Sequence, residues 1–124
     1  MTSAIVSFAQ RITPDASAPA ADRLLAGNPK QSISNHFTDP SQQFFAGRWT
    51  STRGKWRVKY TENEFCHITA GQVRIASNTG QVETFGPGDT FVIPAGFEGT
   101  WEVLEDCSKL YAIFEPTHRG GAGA

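Results

Sequence analysis

Glu64 is a carboxylate on an alternating stretch, sharing one strand face with Cys66 and Ile68 while Phe65 and His67 point the other way. Counting back by twos through the preceding stretch places Tyr60, Val58 and Trp56 on one face, and Trp101 leads the same face of a later one. A glutamate enclosed by such rings is desolvated, which favours its neutral form unless a cation or hydrogen-bond donors attend it. Lys109 or Arg57 could supply the cation, and Tyr60 or Tyr111 the donor. Two readings of Glu64 stand side by side. In one it is a general acid/base, or an anchor for a substrate amine or hydroxyl, with Tyr60 as the second proton-transfer group. In the other it is a structural carboxylate closing its own hydrogen-bond network.

Around this pair the candidate ligand contacts are Trp56, Cys66, Trp101, Lys109, Tyr111 and Phe97. Trp56, Tyr60, Trp101 and Tyr111 could stack on a planar or sugar-like ligand, or could simply fill a core. Cys66 is a possible nucleophile or soft contact at the base of a pocket, against the commoner role of a small buried apolar residue. Phe97 is expected at the pocket mouth. Lys109 and Tyr111 join the site only if the polar face of 109–115 looks inward, which alternation alone leaves open.

The elements that must position these residues are short strands. Candidates run over 45–50, 55–60, 64–68, 72–77, 81–85, 90–93, 99–104 and 109–115, punctuated by glycine-containing breaks. Asn78-Thr79-Gly80 between two alternating segments is a strong hairpin signal. Regular short strands of this kind predict an all-β sandwich or barrel. Residues 1–45 read as an arm with one or two strands, at 32–37 and from 43 onward, that packs on the barrel or on a partner subunit. Asp15 to Ala21 looks loop-like, and Asp22 to Gly27 reads as one helical turn closed by Gly27. The barrel is expected over 46–116 and a flexible tail over 117–124.

The 124 residues suit one domain, and nine Phe, three Trp and two Tyr supply bulky core material. A net charge of −1 gives no field to draw in nucleic acid or an anionic membrane, and no apolar run is long enough to span a bilayer. Without a signal-like N-terminus the expected location is cytoplasmic, where two cysteines are expected as free thiols.

The spacing Glu64-(x)6-Gly71, followed by Gly86-Pro87-Gly88-Asp89 and Phe91-Val92-Ile93-Pro94-Ala95-Gly96-Phe97, with Gly99-Thr100-Trp101 beyond it, resembles the cupin motifs. More closely, residues 56–114 resemble single-domain cupins related to ureidoglycine aminohydrolase and to ethanolamine-utilisation cupins. The resemblance implies a jelly-roll barrel (the RmlC-like double-stranded β-helix) with a cavity at one mouth. Glycines 86, 88 and 96 can take positive φ at tight strand connections, which supports the motif, and a homodimer is expected. Cupins usually hold a metal on histidines, and the matching slots here are Val58, Tyr60 and Gly99. No metal and no other cofactor is therefore expected. The expected partner is a small polar metabolite, of amino, ureido or sugar-like character, bound by a metal-independent enzyme or by a non-catalytic binding or sensing module.

Overall fold

In the computed structural model, residues 3–116 are described, and among them the chain forms nine β-strands and no helix. These are β1 (Asp15–Ser17), β2 (Leu24–Gly27), β3 (Gln31–Thr38), β4 (Phe44–Ser51), β5 (Gly54–Lys59), β6 (Asn63–Ser77), β7 (Val82–Phe85), β8 (Thr90–Ile93) and β9 (Glu98–Phe114). The expected tail at 117–124 lies outside the described residues.

Two long strands, β6 and β9, pair antiparallel along their whole length and are flanked differently at each end. The first half of β6 carries β8, and the second half carries β7. On the other side, the first half of β9 carries β5 and then β2, while its second half carries β4, β3 and β1. Register shifts between Ile68 and Val73 bend the central pair, so the sheet curls into a jelly-roll barrel. Gly71 sits in this bend at φ 80°, pressed against the Asp106 carbonyl. A Cβ could not fit there, so Ala70-Gly71 is a bulge inside one strand, and the segments 64–68 and 72–77 are continuous. The separate strands expected at 99–104 and 109–115 are likewise one strand, β9.

The arm also differs from expectation. Residues 21–23 form only a turn, closed by the Arg23 N–H on the Ala20 carbonyl, and 24–27 continue as a strand on β5. Gly27 takes φ 78° at the end of that strand, not at a helix terminus. Asp15–Ser17, expected as loop, pairs with β3, and β3 in turn pairs with β4 from Gln31 to Thr38. Short polar residues such as these have no apolar alternation of their own; the neighbouring strand edge decides their conformation.

The hairpin expected at Asn78-Thr79-Gly80 joins β6 to β7, closed by the Ser77 N–H on the Gln81 carbonyl at 2.8 Å. Gly88 and Gly96 take φ of 92° and 93°, whereas Gly86 stays outside the positive-φ set. Gly86 instead donates its N–H to the Asp89 carboxylate at 2.8 Å. The core inside the curled sheet is Trp56, Cys66, Ile68, Val73, Ile75, Ile93, Trp101, Val103 and Cys107.

Candidate functional site

Strand alternation brings Glu64 of β6, Lys109 of β9 and Tyr60, just after β5, together inside the curl. The Lys109 ammonium lies 2.8 Å from Glu64 Oε2, and the Tyr60 hydroxyl donates to Glu64 Oε1 at 3.0 Å. Glu64 is 4% exposed and Lys109 5%. Two charges this dry persist only because each is the other's counter-ion. The polar face of 109–115 therefore looks inward, with Lys109, Tyr111 and Ile113 on the cavity wall.

Lys109 is held on three sides. Its ammonium lies 4.6 Å from the Trp49 ring centre and 4.4 Å from that of Trp101, and it reaches the Cys66 sulfur at 3.8 Å. Burial pulls its pKa down, but Glu64 and the nearby sulfurs outweigh this, and the net shift is upward from 10.5. Burial, with Glu64 adding to it, pushes the Tyr60 hydroxyl well above its ordinary value. Burial likewise lifts Tyr111 to about 12. At neutral pH the site thus holds a cation and two protonated phenols around the carboxylate.

Tyr60 is fixed from behind by the Pro94-to-Gly96 turn. The Gly96 N–H donates to the Tyr60 carbonyl at 2.8 Å, and the Tyr60 N–H donates to the Phe97 carbonyl at 2.9 Å. Tyr111 is fixed by Asn35 of β3, whose Oδ1 accepts its hydroxyl at 2.7 Å. This approach is possible because β4 carries Gly47 there: a Cβ would stand 2.7 Å from the Tyr111 oxygen and strike the Ser34 carbonyl.

These groups face a cavity of about 370 Å³, whose aromatic wall includes Phe45, Trp49, Trp56 and Trp101. Of the residues expected in the site, Trp56, Tyr60, Glu64, Trp101, Lys109 and Tyr111 line it. Two do not. Cys66 is fully buried behind Lys109, with its thiol pushed by burial up to about 12 although Lys109 opposes the shift. It is neither a ligand contact nor an activated nucleophile. Phe97 is not at this mouth; it meets Tyr60 edge-on at 6.2 Å and lines a separate cavity of about 290 Å³ with Phe85 and Phe91. Arg57, the other candidate cation, is exposed and reaches the Asp22 carbonyl. Sequence reasoning missed Trp49, Asn35 and Glu62, all of which line the cavity.

A divalent metal does not fit these residues. Among the described residues no three His, Cys, Asp or Glu side chains converge. Glu64 already has its counter-charge from Lys109, and a metal ion on that carboxylate would have to displace the ammonium. Of the histidine slots, Val58 has no donor atom, and any Cβ on Gly99 would strike the Ala76 carbonyl. The indole N–H of Trp101 is the one buried side-chain polar atom without a partner among the described residues.

The EutQ-like cupin domain model matches residues 38–111, more than half of the chain. No curated protein matches it. Among solved structures, a Pseudomonas syringae protein of unknown function superposes with a TM-score of 0.77 at 23% identity, over 87% of this chain and 46% of that one. This chain therefore spans less than half of that protein's length. The Clostridium difficile EutQ protein superposes at 0.64, with 18% identity over 82% of this chain and 75% of its own. A predicted oxalate decarboxylase of Thermotoga maritima superposes at 0.69, with 16% identity over 91% of this chain and 100% of its own. Likeness at these identities concerns the fold.

Proposed function

The chain belongs to the EutQ-like cupin domain family, and from that premise we propose that it binds a small polar metabolite, of amino, ureido or sugar-like character, on the floor made by Glu64, Lys109 and Tyr60, without a metal ion. The observation that carries this reading is a dry ion pair at the base of an aromatic cavity. For folding alone, apolar residues of the same volume would serve as well or better. A ligand, by contrast, meets an ammonium and a phenol as donors and a carboxylate as acceptor, against flat rings that shed water. In the enzymatic form of this reading, Glu64 exchanges a proton with the ligand while Tyr60 and Lys109 hold the charge that develops.

A second form, a binder or sensor without turnover, has its own support. Both Glu64 oxygens are engaged and Tyr60 keeps its proton, so neither of these floor residues is a free base at neutral pH. The test is a thermal-shift and ligand-detected NMR screen of small amines, ureas and sugars on wild type and Glu64→Gln, with hits incubated and analysed by mass spectrometry. Product formation in wild type that vanishes in the variant marks an enzyme. Binding that weakens in the variant, with no product from either protein, marks a binder. Hits that bind both proteins alike would remove Glu64 from the site.

A further inference from the structure

Among the described residues the charged side chains on the cavity wall are Glu62, Glu64 and Lys109, which leaves one negative charge uncancelled. Lys109 is not free to receive an anion. It is paired with Glu64 at 2.8 Å and enclosed between the rings of Trp49 and Trp101. A ligand carboxylate could reach it only by displacing Glu64, which would leave that carboxylate buried without a counter-ion. Among the described residues no arginine, histidine or second lysine lines the cavity. Glu62 differs from Glu64: it is partly exposed and forms no ion pair among the described residues, and its side chain accepts from the Thr61 N–H at 3.1 Å. Trp49 and Trp101 already face Lys109, but Phe45 and Trp56 add rings to the wall beyond that contact, and ring faces attract cations and disfavour anions.

Resting on the reading that this cavity is the ligand site, we infer that its ligand is a small organic amine bound in its protonated form, drawn to Glu62 and the aromatic wall, and that carboxylates are excluded. Glu62 is then the residue that sets charge preference, while Glu64 and Lys109 form a neutral polar floor. The same logic separates this cavity from one built for a dianion such as oxalate.

The experiment is calorimetric titration at low ionic strength with three probes on one ring skeleton, benzylamine, benzyl alcohol and benzoate, together with oxalate, on wild type and Glu62→Gln. Glu62 is partly exposed, so its amide variant keeps the fold, which thermal unfolding verifies. The expected result is benzylamine binding about ten-fold tighter than benzyl alcohol, with benzoate and oxalate silent. Glu62→Gln should erase that ten-fold difference and leave benzyl alcohol unchanged. Benzoate or oxalate binding tightest, equal binding of amine and alcohol, or indifference to Glu62→Gln would each overturn the inference while the proposed function stands. If neither these probes nor any compound of the wider screen bind, the cavity reading itself falls, and the inference with it.

Discussion

Lys109 and Glu64 each make the other tolerable, and this defines what their replacement does. Lys109→Met leaves a carboxylate dry and unpaired, so we expect a loss of about 3–5 kcal/mol in urea unfolding. The double variant Glu64→Leu/Lys109→Met removes both charges and should recover most of that stability, to within about 1–2 kcal/mol of wild type. A Lys109→Met cost below about 1 kcal/mol would mean that the pair is hydrated. Glu64 was readable from its motif spacing, and its partner was not. The sequence offers Lys109 or Arg57 as the cation without choosing between them, and the pairing of Lys109 with Trp49 and Ile68 on either side of β9 sets it inward. Trp49 carries no clean signal of its own because apolar residues stand on both faces of Phe44-Phe45-Ala46, which blurs the period.

At the scale of elements, β4 is the strand on which the cavity wall depends most tightly. Gly47→Ala would drive a methyl group against the Ser34 carbonyl and the Tyr111 hydroxyl, so β3 and β4 must part and Tyr111 must shift with them. We expect a loss of about 1–3 kcal/mol and a weakened response to any ligand of the cavity. Unfolding midpoint and ligand-induced thermal shift measure the two effects separately; an unchanged midpoint would show that β3 is not held against β4 as described. Turn chemistry made the hairpin at Asn78-Thr79-Gly80 and the strand at 90–93 legible, since those signals are local. The bulge at Gly71 looks like a break in the sequence because a glycine at positive φ serves either purpose. Asn35 carries no local signal at all: its part depends on Tyr111, 76 positions away.

For the whole molecule, two thiols, two phenols and one ammonium of the interior act in one direction. Burial lifts Cys66 to about 12 and Cys107 to about 11, Tyr60 and Tyr111 also rise, and Lys109 rises net of burial. Each group holds its proton more tightly folded than unfolded. The stability this provides is complete below about pH 9, where the thiols of the unfolded chain begin to ionise, and is lost as pH climbs through the folded values. The melting temperature should therefore be flat from about pH 7 to 9 and fall steeply by about pH 11; a profile that holds through pH 12 would contradict the burial of these groups. The barrel as a whole was legible from glycine spacing, because tight strand connections demand particular backbone angles whatever the site contains. What the barrel holds was less so, since the cavity's charge arises from Glu62 in the β5–β6 connection, Glu64 of β6 and Lys109 of β9, brought together only by the fold.

The measurement that bears most directly on the account is metal content by inductively coupled plasma mass spectrometry, on untagged protein purified without chelator. With the Lys109 ammonium bound to Glu64 and no side chain possible at Gly99, manganese, iron, nickel and zinc should all be far below stoichiometric. One equivalent of any of them, retained through dialysis and lost in Glu64→Gln, would mean that Glu64 is a metal ligand and that its pairing with Lys109 is not the state the protein uses.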